Sequence, residues 1–232
     1  MTADLETPST GRSALLLGAT GLVGSHCLDL LLADDSYERV RVLARRPVPR
    51  RSPKLETHRV DFEDLGSHAA YFAVDDIFCC LGTTMARAGS EAAFRRVDYD
   101  YPLQAAELAV AEGAEQFLMV SAVGADPQSR IFYNRVKGEA EAAVKRLPFR
   151  AVWVLRPSLL LGEREEFRVG ERLAAAVARP LAPLMIGRLR RYRPITARDV
   201  AVAMLRLAHQ GGTGGVVESE EIAELAAQGR EG

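Results

Sequence analysis

The chain is built from short, mostly unbroken apolar runs separated by stretches in which apolar residues recur every three or four positions. The runs are Ala14 to Leu17, Val40 to Leu43, Ile77 to Leu81, Phe117 to Val120 and Ala151 to Leu155, with Thr57 to Val60 as a weaker sixth. Continuous runs of this length are expected of strands covered on both faces of a parallel sheet. Between them, Val23, Cys27, Leu30 and Leu31 fall at helical offsets, as do Val136, Ala140, Ala143, Val144 and Leu147. Each such segment presents one apolar stripe inward. Strands alternating with helices predict an α/β, doubly wound parallel sheet with right-handed crossovers and the strand order 3-2-1-4-5-6.

The punctuation of this pattern sets the expected boundaries. Residues 1–12 are polar and breaker-rich and are expected to form a flexible leader, leaving 13–232 as a single domain. "RRPVPRRSP", Arg45 to Pro53, carries too much proline for a helix or strand and reads as an exposed loop. Beyond Gly162 the pattern loosens, and 161–232 is expected to be a small extension on the substrate side of a cleft. Within it, Arg198 to His209 reads as a helix stopped by "GGTGG", Val216 to Ser219 as a last edge strand, and Glu221 to Gln228 as a terminal helix.

Composition narrows the function classes. A length of 232 residues suits one domain with a substantial core. A formal net charge of -1 with 26% charged residues gives no overall bias toward nucleic acid or anionic membrane. No apolar run approaches the roughly 20 residues of a membrane helix, and the N-terminus lacks the regions of a signal peptide. Cys27, Cys79 and Cys80 suggest neither a disulfide framework nor a zinc site. Adjacent Cys79 and Cys80 lie in an apolar run and read as buried thiols, with a cytoplasmic setting as the default. His26, His58, His68 and His209 have no ligand spacing, so no metal centre is expected. Arg188, Arg190, Arg191 and Arg193 form a basic stretch read as a solvated loop in preference to an anion site. With Tyr192 as its sole aromatic residue, it does not suggest nucleic-acid binding.

Candidate chemistry begins at "LLLGATGLVGSH", where Gly18, Gly21 and Gly24 stand between the first strand and the first helix. In a Rossmann-like fold this is where a dinucleotide pyrophosphate sits. Gly18 permits the tight turn, Gly21 lets backbone N–H groups approach the phosphates, and Gly24 lets helix and strand pack closely. The helix N-terminus adds about half a positive charge. The second strand ends in Ala44-Arg45-Arg46 rather than an acidic residue. Guanidinium groups there suit a ribose 2'-phosphate, so NADP(H) is favoured over NAD(H). The competing reading makes Arg45, Arg46, Arg50 and Arg51 a solvated basic loop, with either dinucleotide accepted.

A second candidate is "IFYNRVKGEAEAAV", in which Tyr133 and Lys137 stand one helical turn apart. By spacing alone the two fit a chance placement equally well, with Lys137 pairing with Glu141 on a solvated face. If they act together, the nearby ammonium favours the phenolate of a tyrosine whose free pKa is about 10. Ser121, at the end of the Phe117 to Val120 run, could donate a hydrogen bond to a carbonyl oxygen or cap a local turn. Asp98 is expected to cap the following helix or to touch the active-site network.

Together with "VDFEDL" at Val60, "FCCLGTT" at Phe78, "FRRVDYDYPLQAAELA" at Phe94, "YNRVKGEAE" at Tyr133 and "LRPSLLLGERE" at Leu155, these motifs give a chain that resembles the short-chain dehydrogenase/reductase superfamily in its extended or atypical branch. It is more closely similar to the Tat-interactive-protein-like NAD(P)-binding oxidoreductases. The resemblance implies that Thr20, Leu22 and Val23 join the three glycines in binding the cofactor, that Asp61 contacts adenine, and that Cys80, Leu81, Gly82 and Thr83 border the cofactor. It further implies an active-site set of Ser121, Tyr133 and Lys137, with the tyrosine exchanging a proton with the substrate oxygen and the lysine holding the nicotinamide ribose. The chain departs from the pattern at Ser121-Ala122, where related proteins often have two serines, and at Leu81-Gly82-Thr83-Thr84, which replaces an "NAG"-like segment. The expected function is an NADP-dependent oxidoreductase acting on a small carbonyl or alcohol. The alternative is an NADPH-binding regulatory or redox-sensing protein with little turnover. An isomerase or epimerase of the sugar-nucleotide kind is a third reading, for which the short C-terminal part leaves little room. A small-molecule substrate is the expected partner, with a second copy or another protein as further candidates.

Overall fold

The computed structural model describes residues 11–161 and 192–228. Strand β1 (Arg12–Leu17) begins inside the segment expected to be leader; residues 1–10 lie outside the described residues. It is followed by α1 (Leu22–Ala33), β2 (Tyr37–Ala44), β3 (Leu55–Arg59) and a 3-10 segment over Phe62–Phe72. Strand β4 (Asp76–Cys79) leads through the short helices α2 (Met85–Ala88) and α3 (Glu91–Arg95) into a π turn (Arg96–Asp100) and α4 (Tyr101–Ala111). The chain continues with β5 (Gln116–Val120), α5 (Phe132–Val144), β6 (Ala151–Arg156) and β7 (Leu160–Leu161), then β8 (Ile195–Thr196), α6 (Ala197–Gln210), β9 (Gly214–Glu218) and α7 (Ser219–Gln228).

Seven of these strands form one parallel sheet in the order β3-β2-β1-β4-β5-β6-β9. This is the expected doubly wound order with β9 added beside β6. Register alternates the apolar residues between two layers. Leu16, Phe78 and Leu118 face α1 and α6, packing with Cys27, Leu31, Val200 and Met204. Leu15, Leu17, Ile77 and Phe117 face α4 and α5, packing with Ala105, Ala109, Ala140 and Val144. That double coverage explains why the strands read as unbroken apolar runs. The expected extension therefore supplies α6 to one helical layer and β9 to the sheet edge. Arg188, Arg190 and Arg191 lie outside the described residues.

Two local features position the site. The β1-to-β4 step creates the switch point of the sheet, with a crevice at the carboxyl ends of the strands. The π turn lies just before Pro102, whose ring nitrogen has no hydrogen to donate to the carbonyl of Asp98, and the Tyr101 N–H bonds back to the Arg96 carbonyl instead. The widened turn carries Asp98 into the interior, where it is 1% exposed.

Candidate functional site

The glycine loop closes on itself and on the end of β4. Gly18 has φ of +82°, and a β-carbon there would stand 2.4 Å from the Cys80 carbonyl oxygen. At Gly24 a β-carbon would stand 2.1 Å from the Gly18 carbonyl oxygen, which explains the close packing of helix on loop. The Gly21 N–H donates to the Gly18 carbonyl at 2.8 Å. It is spent on the turn, so the donors facing outward are the first N–H groups of α1, starting at Leu22 and Val23. That helix end has Gly21 as N-cap, no side-chain cap and no acidic residue in its first turn. The positive end of its dipole is left for an external anion.

In front of this loop lies an open cleft of about 700 Å³, of the size that holds small ligands. Its walls are Gly18 to Gly21, Leu43 to Pro47 at the end of β2, Phe62, Cys80 to Thr83 after β4, and Arg87 on α2. Gly18, Thr20, Gly21, Arg45, Arg46, Cys80, Leu81, Gly82 and Thr83 are thus gathered at one crevice. Arg45 and Arg46 are exposed at its rim, and among the described residues neither is held in an ion pair. Arg50 is different: its guanidinium is bound to Asp29 of α1 at 2.6 Å, holding the proline-rich loop down. Asp61 does not line the cleft; its carboxylate accepts the Glu63 N–H at 3.0 Å and caps the 3-10 segment. Cys79 is buried, with its thiol pushed up to about 12 by burial. Cys80, one residue past the end of β4, is half-buried at the cleft wall, but its thiol turns into the core toward Met204 Sδ at 3.8 Å and the buried Cys27, so both thiols are buried.

Tyr133 and Lys137 occupy the first two turns of α5. Phe94, fully buried on α3, packs against the Phe132 and Tyr133 rings at 5.8 and 5.3 Å between centroids. Lys137 is buried and does not pair with Glu141; its Nζ lies 2.7 Å from Asp98 Oδ1. Burial alone would push this ammonium down, but the Asp98 carboxylate, with Tyr133 adding to the same field, outweighs it and raises the lysine above its ordinary value. The pair adjoins the cleft at Gly82, where a β-carbon would stand 3.6 Å from Lys137 Nζ. The second oxygen of Asp98 accepts the Thr83 N–H at 2.9 Å.

Ser121 is buried, and its hydroxyl donates to Glu141 Oε1 at 2.5 Å. Glu141 is also buried and is clasped by Arg156 at 2.6 Å, which reaches on to Glu218 at 3.2 Å. The hydrogen bond to Glu141 holds the Arg156 guanidinium more firmly charged than usual. The Ser121 proton is therefore directed at a buried carboxylate. The signal for this network was present as a third stripe position, Glu141, four residues beyond Lys137. Its partner on β6 could be found only from the strand register.

A parallel sheet with a glycine loop at its switch point and a Tyr-x-x-x-Lys pair beside the crevice defines a short-chain dehydrogenase/reductase fold. The chain belongs to the NAD dependent epimerase/dehydratase family, which it matches over residues 14–218. It is 41% identical over 167 residues to Protein HTATIP2 of Rattus norvegicus, covering 70% of this chain and 69% of that one. It is 30% identical over 221 residues to Protein FMP52, mitochondrial, of Debaryomyces hansenii, covering 92% and 96%. Among solved structures, UDP-glucose 4-epimerase from Thermotoga maritima with UDP-glucose superposes with a TM-score of 0.65 at 17% identity, covering 93% of this chain and 82% of that one. MoeE5 in complex with UDP-glucuronic acid and NAD gives 0.65 at 18%, covering 93% and 81%. At such identities the likeness is one of fold.

The relatives overturn the cytoplasmic default, since several fungal ones are named as mitochondrial proteins. Free thiols report on redox conditions and carry no address. Among the described residues no helix is long and apolar enough to cross a membrane.

Proposed function

We propose that the chain is an NADP-dependent oxidoreductase that interconverts a small carbonyl and its alcohol. The observation that carries this reading is the junction at Gly82, where a crevice built around an uncapped helix N-terminus meets the buried Lys137, one turn from Tyr133. The residues present fit a dinucleotide. The open end of α1 suits the pyrophosphate, and Arg45 and Arg46 suit a 2'-phosphate. Bound NADPH would supply the hydride. Tyr133 gives its hydroxyl proton to the substrate oxygen, and the phenolate left behind is stabilised by the Lys137 ammonium until it regains a proton from solvent. In the alcohol direction Tyr133 takes the proton instead.

The test has two parts. Replacing both Arg45 and Arg46 by alanine is expected to weaken NADPH about tenfold to a hundredfold while leaving NADH nearly unchanged, because charge-assisted contacts of about 1.5–3 kcal/mol are lost for one ligand alone. Fluorescence titration reads both constants, and equal losses for the two cofactors would reject the NADP assignment. In a screen of carbonyls with NADPH, Tyr133→Phe is expected to lose turnover and keep binding. A variant as fast as the parent would reject the role of Tyr133.

One observation favours a second reading, an NADPH-binding regulator with little turnover. The Ser121 proton is directed to Glu141, and Ala122 follows it without a hydroxyl. Tight NADPH binding with no oxidation across a broad carbonyl panel would select that reading.

A further inference from the structure

Arg45 and Arg46 have a proposed ligand; a third arginine of the same cleft has none. Among the described residues, the charged side chains that line the cleft are Arg45, Arg46 and Arg87, and none is acidic. Arg87 stands on α2, on the wall that follows β4, whereas Arg45 and Arg46 follow β2. It is exposed, and among the described residues its guanidinium enters no ion pair or hydrogen bond. The next arginines along the chain, Arg95 and Arg96, are held by Glu139 and Glu63. Helix α2 is a single turn with no buried residue, so packing does little to hold it. Its ends are fixed instead: the Thr84 hydroxyl accepts the Arg87 N–H at 3.3 Å, and the Gly89 N–H donates to the Met85 carbonyl at 3.1 Å. The first of these bonds uses the backbone of Arg87 and leaves its side chain out of the fold.

A pyrophosphate against the glycine loop is charged on both phosphates, and the α1 N-terminus offers it about half a positive charge. The stretch of chain that leads from β4 to Arg87 starts in direct contact with that loop, the Cys80 carbonyl lying against Gly18. We propose that Arg87 is a pyrophosphate-binding residue: from the α2 wall of the cleft its guanidinium pairs with the cofactor's diphosphate and completes the neutralisation that the α1 terminus begins. The inference rests on the dinucleotide reading of the cleft, but not on the choice of NADP over NAD. Both dinucleotides carry the diphosphate, so Arg87 serves them equally, while Arg45 and Arg46 choose between them.

The experiment is a set of fluorescence titrations with NADPH and NADH, with displacement of NADPH by adenosine 2'-monophosphate, on the parent, Arg87→Ala and Arg87→Gln. Both variants keep the backbone N–H that Thr84 caps and remove a side chain on which no described contact depends. Each is expected to weaken NADPH and NADH by the same factor, about tenfold or more. Adenosine 2'-monophosphate, which has no diphosphate, is expected to keep its parental affinity. A loss confined to NADPH and the monophosphate would assign Arg87 to the 2'-phosphate and overturn the proposal. Equal loss of all three ligands would mean that the side chain props the cleft wall, and unchanged affinities that it is solvated surface; either result overturns the proposal as well. A parent that binds neither dinucleotide would remove the dinucleotide reading and this inference with it, whereas a parent that binds them as well as its Arg87 variants do would remove this inference alone.

Discussion

Gly18 occupies a position that no other residue can fill without moving the site. Its φ of +82° is strained for a side chain, and the β-carbon would press into the Cys80 carbonyl at 2.4 Å. Gly18→Ala must therefore rotate the loop or push the end of β4 away. The expected loss is about 2–4 kcal/mol of stability together with NADPH binding, from backbone strain plus overpacking. Thermal unfolding and cofactor titration on the same sample check both. Ser121 makes the opposite point, because its place in a motif suggested chemistry and its surroundings give it a structural task. Ser121→Ala removes a donor from the buried Glu141 carboxylate and is expected to destabilise by about 1–3 kcal/mol. An unchanged unfolding midpoint would show that the hydrogen bond to Glu141 contributes nothing, and would return the hydroxyl to the candidate donors for a substrate.

Helix α5 shows where sequence reasoning succeeds and where it stops. Tyr133, Lys137 and Glu141 were recognisable as one stripe because helical spacing is local. The same rule suggested Lys137 with Glu141, yet the lysine turns to Asp98 on the π turn and the glutamate to Arg156 on β6. Those choices depend on which elements become neighbours. The strand order was legible because unbroken apolar runs require double coverage, and the glycine loop because its three positions serve a single turn. The proline-rich loop after β2 was also legible as a loop, but its attachment to α1 was not. Arg50 holds the Asp29 carboxylate below its ordinary value through their hydrogen bond. A depressed folded-state pKa means that the pair stabilises above the unfolded carboxylate value of about 3.9 and loses this contribution as pH falls through the lower, folded value. Both side chains are well exposed, so the contribution is at most about 0.2–1 kcal/mol. Asp29→Asn is accordingly expected to lower stability slightly at neutral pH and not at all in strong acid. Denaturant melts across that range would expose a wrong sign as a variant gap that widens in acid.

The sheet separates its tasks by end. At the carboxyl ends of β1, β2 and β4 lie the open cleft, the exposed arginines and the lysine pair. At the amino end of β4, Asp76 is completely buried and holds Arg12 at 2.6 and 2.8 Å, the Tyr37 hydroxyl at 2.7 Å and the Gln116 amide at 2.9 Å. These partners come from β1, β2 and β5, so one carboxylate fastens four adjacent strands. Burial, and then the Asp76 charge, push the Tyr37 phenol well up, so it remains a donor. Asp76→Ala would leave a guanidinium, a phenol and an amide without their shared acceptor, an expected loss of about 3–5 kcal/mol. NADPH affinity of the protein that remains folded is expected to match the parent's, because the variant touches no residue of the cleft. Titration well below the lowered unfolding midpoint makes the comparison. A parallel fall in affinity would mean that β4 transmits disorder from Asp76 to Cys80 along its length, and that the cleft depends on the fastening at the far end of the same strand.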